Sequence, residues 1–331
     1  MGLPDSIVLN SAIDRASVTD GRARFRAVLG AVNTAHGRAL GDWRTTDKIL
    51  RDLGGEGADA GAAVSLAPLS ARVRVIAVPG FLTECGSFLS DVLTDGLAHL
   101  ESLGAKTMAP TLPGRGGAVR NAGHLRDTIM ALPEGETVIL IAMSKGTVDA
   151  QEMLALYPET HARVNALVSL VGSVCGSPLA HLAPGWLKWI EARVPLPHCR
   201  ACGGEGVESL TPEVRQAFLQ QHKPVAGVRY YSVGAAVEAE GMSKGIASSY
   251  HALCRIDPLN DGQMLLADQI LPRSELLGVL NADHIAVGMP FNRNTGWLAR
   301  WVCKHILDQN AFPREVMAEA VVRRVLEDLA P

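Results

Sequence analysis

Three side chains of this chain, read together, could carry nucleophilic chemistry on a carbonyl carbon. Ser144 stands in Ala142-Met143-Ser144-Lys145-Gly146, and His284 in Leu280-Asn281-Ala282-Asp283-His284-Ile285. Between them lie the carboxylates Asp257, Asp261 and Asp268. A serine hydroxyl is a weak nucleophile until a base within hydrogen-bond reach takes its proton, and the base itself needs a carboxylate to orient it. In the order serine, acid, histidine, the acid and base are expected on loops that leave successive strands. His284 directly follows the last strand-like run, residues 276–280. His305 falls inside a helical pattern and His251 in an undefined stretch, so neither is favoured. Asp261 is favoured as the acid because Asn260-Asp261-Gly262 is a turn sequence that can present a side chain at a sheet edge. Asp257, before Pro258, reads as a turn former, and Asp268 stays available.

The elements around Ser144 explain why it is singled out. Residues 138–142 are a short continuous apolar run, as in a strand buried on both faces of a parallel sheet. Residues 147–156 are helix formers that stop at Tyr157-Pro158. Strand, tight turn and helix with serine at the apex form a nucleophile elbow, where Ala142 and Gly146 keep side chains out of a cramped bend. A second serine, in Gly241-Met242-Ser243-Lys244-Gly245, matches the Gly-x-Ser-x-Gly pattern more literally. No buried strand leads into it, and context decides such motifs. The amides of Lys145 and of Phe81, after the turn Pro79-Gly80, are expected to hold a developing oxyanion. The Lys145 side chain itself is expected to be solvated. Met143, Cys175 and Trp186 are expected to contact substrate.

Strand-like runs at residues 73–78, 106–109, 138–142, 166–171, 228–233 and 276–280 alternate with helical patterns, which predicts an α/β fold with a mostly parallel central sheet flanked by helices. Residues 1–70 read as an N-terminal helical extension, with Phe25, Val28, Leu29 and Val32 at helical spacing, Asp20 as N-cap and a second helix over 46–53. Residues 71–331 form the main domain. The alternation breaks over about 179–227, where Trp186-Leu187-Lys188-Trp189-Ile190 suggests a cap or lid insertion. Helices are expected near 295–307 and over 314–329.

Composition narrows the partners. The 331 residues are 47% hydrophobic and carry a formal net charge of −3 with both signs interspersed. That leaves no basic footprint for nucleic acid. No apolar run is long enough for a transmembrane helix. The first twenty residues lack the pattern of a signal peptide, so a cytoplasmic location is expected, with reduced cysteines. Cys199 and Cys202 have metal-like spacing but no second pair, and read as incidental thiols. No cofactor is expected, the expected partner is a small-molecule ester, and nothing in the chain specifies an oligomeric state.

Taken in order, these motifs resemble the α/β-hydrolases of the bacterial lipase and esterase type over about residues 72–310. Pro79-Gly80-Phe81 stands where those enzymes carry His-Gly-x, and Ala142-Met143-Ser144-Lys145-Gly146 where they carry Gly-His-Ser-x-Gly. Ser173-Val174-Cys175-Gly176-Ser177 resembles their Thr-Pro-His-x-Gly-Ser, and Ser209-Leu210-Thr211 a piece of their insertion. Asn260-Asp261-Gly262 resembles the acid turn and Asp283-His284 the base loop. The resemblance implies hydrolysis of carboxylic esters, or of thioesters, through an acyl-enzyme on Ser144, Asp261 and His284. Acyl transfer on the same triad and a non-catalytic binding role are the alternatives. Related lipases often bind calcium through an aspartate two positions after the histidine. Ala286 stands there, so no such metal is expected.

Overall fold

The computed structural model describes residues 2–59, 61–83, 91–182 and 202–330. Seven strands form one sheet: β1 (Thr19–Asp20), β2 (Val73–Val78), β3 (Lys106–Met108), β4 (Thr137–Met143), β5 (Ala166–Leu170), β6 (Arg229–Ala235) and β7 (Glu275–Leu280). Their order is β1-β7-β6-β5-β4-β2-β3 and every pairing is parallel. The α/β expectation therefore holds, and the sheet is parallel throughout. The crossovers include α1 (Arg22–Val32), α2 (Thr94–Ser102), α3 (Ala118–Met130), α4 (Lys145–Leu156) and α5 (Pro212–Gln221). A short helix α6 (His284–Gly288), then α7 (Trp297–His305) and α8 (Arg314–Leu329), complete the chain. Among the described residues no helix is long and apolar enough to cross a membrane.

The two faces of the sheet are covered by different helices, and β4 shows how the sequence achieves this. Ile139, Ile141 and Met143 point into a layer with Phe25, Val28 and Val32 of α1, Leu100 of α2 and Val316 and Val321 of α8. Val138, Leu140 and Ala142 point into the opposite layer with Leu125 and Ile129 of α3 and Met153 of α4. Alternate side chains leave a strand on opposite faces, so a strand covered on both must be apolar at every position. That is why residues 138–142 read as an unbroken apolar run.

The first seventy residues differ from a purely helical extension. They supply β1, an edge strand whose Thr19 and Asp20 pair with Glu275 and Leu276 of β7. Helix α1 then packs through Phe25, Val28, Leu29 and Val32, all wholly buried. Its N-cap is Gly21 rather than Asp20, although the Asp20 carboxylate accepts the Arg22 amide at 3.1 Å. The helix expected over 46–53 is cut to Thr46–Ile49, because Leu50 turns extended and bridges Leu280. The segment is thus woven into the main body at the β7 side of the sheet.

Of the cap expected over about 179–227, the described parts are the helical turns Leu179–Leu182 and Glu205–Glu208 and helix α5. Trp186 and Cys199 lie outside the described residues.

Candidate active site

Strand β4 runs straight into the turn that carries Ser144, and α4 starts at the next residue. Ser144 has φ 53° and ψ −124°, a left-handed conformation that costs a non-glycine residue on the order of 1–3 kcal/mol. The surroundings enforce it. The Ser144 amide donates to the Leu170 carbonyl at 3.0 Å, and the Ser144 carbonyl accepts from Ser173 at 3.1 Å, so the turn is sewn to the exit of β5. Gly146 must be glycine: a Cβ there would lie 2.4 Å from the Val78 carbonyl oxygen and 2.7 Å from that of Pro79. The first turn of α4 thereby presses on the end of β2, where Pro79-Gly80-Phe81 begins. A Cβ on Gly80 would meet the Ser144 Cβ at 3.1 Å, so this turn lies directly against the serine.

That close approach bears on the two expected oxyanion donors. The Lys145 amide belongs to the first turn of α4, where no intrahelical acceptor exists and the helix field favours negative charge. Phe81 follows Gly80, and its turn is held by Thr83 Oγ1 donating to the Gly80 carbonyl (3.1 Å) and by the Leu82 amide on the Gly114 carbonyl (3.0 Å). The half-buried Phe81 ring is covered by the Glu205–Glu208 turn, since a Cβ on Gly206 would come within 2.8 Å of it.

His284 opens α6, just beyond β7. Its Nδ1 sits 2.7 Å from Asp261 Oδ2 and its amide donates to the Asp261 carbonyl at 2.9 Å. Facing a carboxylate, Nδ1 carries the proton, which leaves Nε2 as the acceptor. Asp261 is wholly buried, and its Oδ1 accepts the amides of Gln263 (2.8 Å) and Met264 (2.7 Å). The turn closes as its sequence suggested, with Asn260 Oδ1 on the Gly262 amide and Gly262 at φ 89°. The other two carboxylates are engaged elsewhere. Asp257 accepts the Leu259 amide at 2.7 Å, as a turn former does. Asp268 accepts from Asn10 at 2.7 Å, and burial pushes its carboxyl up to about 6. Among the described residues the Ser144 hydroxyl makes no hydrogen bond, so serine and imidazole are not joined in this resting geometry.

Asp283 was not singled out by its sequence position, yet it fixes the histidine's helix. Its Oδ1 caps α6 by accepting from Ile285 (3.0 Å) and Ala286 (2.8 Å), while Oδ2 accepts the Ser243 amide at 3.1 Å. A carboxylate directly before a short helix is the signal that could have revealed it. Buried Arg314 of α8 also grips this helix, donating to the Ala286 carbonyl at 2.7 Å and to Asp95 at 2.7 Å. Nothing in the sequence connects Arg314 to His284. Both His251 and His305 are exposed.

One expectation is corrected, and two further residues are placed. The Lys145 side chain is not solvated: it is 1% exposed, and its Nζ donates to Asp149 Oδ1 at 2.6 Å. Asp149 Oδ2 accepts from Asn121, which also donates to the Pro113 carbonyl. Burial pushes the Asp149 carboxyl up, against the pull of Lys145 and Asn121. Met143 is buried, its sulfur filling the space a Cβ on Gly288 would need. Cys175 is 4% exposed and packs in the same apolar layer as Met153 and Phe218, where burial pushes its thiol up.

Comparison with known proteins adds an outside measure. No family model and no curated protein matches the chain. Among solved structures, the metagenomic carboxyl esterase MGS0156 is 36% identical, with 98% of this chain and 97% of that one covered and a TM-score of 0.91. The mature lipase BlEst2 of Bacillus licheniformis is 21% identical, with 64% of this chain and 84% of that one covered and a TM-score of 0.52, a likeness of fold.

Proposed function

Because this chain belongs to the carboxyl esterases of the α/β-hydrolase fold, we propose that it hydrolyses a small-molecule carboxylic ester through an acyl-enzyme on Ser144. His284 Nε2 takes the Ser144 proton as Oγ attacks the ester carbonyl carbon. The carbonyl oxygen becomes an oxyanion held by the amides of Phe81 and Lys145. Collapse of this intermediate breaks the bond to the alkoxy oxygen, and His284 returns the proton so that the alcohol leaves. Water then repeats the sequence on the acyl-serine, with His284 as base, and releases the acid. Asp261 holds the tautomer that makes Nε2 the acceptor and stabilises the imidazolium that forms.

The observation that carries this reading is the 2.7 Å contact of His284 Nδ1 with a wholly buried, doubly amide-bound Asp261. Both amides bind Oδ1, which fixes the carboxylate and leaves Oδ2 for His284, so the histidine gains a set orientation. The Ser144 hydroxyl and the His284 ring are not hydrogen-bonded, and such bonds often tighten only in the bound complex.

A serine-directed organophosphonate offered to the full chain tests the assignment. One adduct on the peptide containing Ser144, with parallel loss of p-nitrophenyl ester turnover, is the expected result. An adduct on another serine, or near-background turnover across all acyl lengths, would sink the reading.

A further inference from the structure

Past Val32 the α1 helix widens into a π-helical turn, Asn33–Gly37, which carries His36. His99 lies on α2 and Glu319 on α8. Both imidazoles converge on one carboxylate oxygen: His36 Nδ1 is 2.8 Å and His99 Nε2 2.6 Å from Glu319 Oε2. The three ligand-type atoms lie within 4.8 Å of one another. The other oxygen, Oε1, accepts from Arg323 Nε at 2.7 Å. The Glu319 side chain is wholly buried, that of His99 9% exposed and that of His36 30% exposed. The mechanism above uses none of these groups.

We propose that His36 Nδ1, His99 Nε2 and Glu319 Oε2 form a binding site for one divalent transition-metal ion of the zinc class, with water in the fourth position on the His36 side. Two imidazoles and a carboxylate are a borderline donor set that suits zinc and its neighbours, whereas calcium and magnesium take oxygen ligands. The carboxylate is placed to ligate: both imidazole nitrogens converge on its Oε2, while Oε1 is held by Arg323 Nε at 2.7 Å. Arg323 plays the outer-shell part, holding the oxygen that does not ligate.

The geometry needs a modest rearrangement. Zinc bonds of about 2.0–2.2 Å in a tetrahedral arrangement set ligand atoms ~3.3 Å apart, so each imidazole moves away from Oε2 by roughly 0.5–0.7 Å while the two ring nitrogens, within 4.8 Å of one another, draw together around the ion. The protons these nitrogens now present to Glu319 move to the other ring nitrogen or to solvent. Binding therefore weakens in acid. The bound ion joins the N-terminal segment, α2 and α8, so its effect is on stability rather than on ester turnover.

The test uses the full chain, stripped with a chelator and titrated with ZnCl2 alone against a chromophoric competitor. One equivalent should bind, and Tm should rise on the order of 5 °C at free zinc about 100-fold above Kd. Magnesium should give no shift. Cobalt(II) should give the visible absorption of a tetrahedral nitrogen and oxygen site. His36→Ala, at a partly exposed position that tolerates change, and His99→Ala should each weaken binding by roughly 100-fold or more, at or above the loss typical of outer-shell partners. Absence of stoichiometric binding overturns the proposal and leaves a hydrogen-bonded clasp. Undiminished binding in both variants overturns it too, since the ion then sits elsewhere.

Discussion

The tetrapeptide Met-Ser-Lys-Gly occurs twice in this chain, at 143–146 and at 242–245, and the two copies have almost nothing structural in common. Ser144 sits at φ 53°, ψ −124° at the end of a sheet strand; Ser243 sits at φ −62°, ψ 138° after a single 3₁₀ turn, Ala239–Gly241. Lys145 is 1% exposed and locked to Asp149, while Lys244 is 69% exposed and reaches Asp308 at the surface. Ser243 spends its groups on structure: its amide donates to Asp283 and its hydroxyl accepts the Gln309 amide at 3.3 Å. The second serine thus helps build the support of the histidine proposed to activate the first. Four identical residues encode neither conformation nor role. The strand that feeds the turn, and the backbone pressing on its far side, make the difference.

Paired substitutions at matching positions test this contrast. The largest effect is expected at the serines. Ser144→Ala should lower kcat for p-nitrophenyl esters by about 10⁴-fold or more with Tm unchanged. Ser243→Ala should leave kcat within a few-fold while costing roughly 1 kcal/mol, because the Gln309 amide loses its acceptor. A collapse of activity in Ser243→Ala with an active Ser144→Ala would invert the comparison.

The glycines come next. Gly146→Ala drives a Cβ into two backbone carbonyls of the β2 exit, which have no means of yielding. It should cost about 3 kcal/mol in urea unfolding and reduce turnover as well, since the oxyanion turn is displaced. In Gly245→Ala the nearest obstacle is Ile306 Cγ2 at 2.4 Å, with one backbone carbonyl at 3.1 Å rather than two below 3 Å, so a smaller loss of about 2 kcal/mol is expected. Equal losses in the two would show that the elbow is no tighter than an ordinary bend.

The lysines give the smallest effect on catalysis and a pH signature. Lys145→Met leaves Asp149 buried without its cation, which should cost roughly 3 kcal/mol at neutral pH. Burial already raises the Asp149 carboxyl. A carboxyl whose folded pKa lies above its unfolded value loses stability as pH rises through that range. The Lys145→Met deficit should therefore be full at neutral pH and shrink as pH falls and Asp149 takes a proton. Lys244→Met should stay within about 0.5 kcal/mol at any pH. Thermal melts of both variants from pH 5 to pH 8 make the check, and a pH-independent Lys145→Met deficit would discard the buried-pair account.

What was legible in the sequence follows the range of the interaction. The β4 run, the elbow and the last helix over 314–329 are local patterns, and the structure has them where they were expected. The Asn260-Asp261-Gly262 turn was legible because its side chains hydrogen-bond to their own neighbours. What escaped depended on partners far along the chain. Lys145 at the start of a helix looks like a surface residue until α3 brings Asn121 over Asp149. The i, i+4 spacing of Lys145 and Asp149 was the one available hint. Residues 19–20 are too short to show a strand period and become one only by pairing with β7. His36, His99 and Glu319 are each unremarkable in sequence and meet only because three helices cross.

The β1–β7 ladder has a consequence for timing. Thr19 meets Glu275 across most of the chain's length, and α8, still later, packs on α1. Closing such a span is slow, because its entropic cost is met before any contact rewards it. A chain emerging from the ribosome holds Ser144 long before the segment bearing His284 has been made. On the proposed pairing of the two, hydrolytic power arrives last, when beginning and end have found one another, and an unfinished chain is chemically silent.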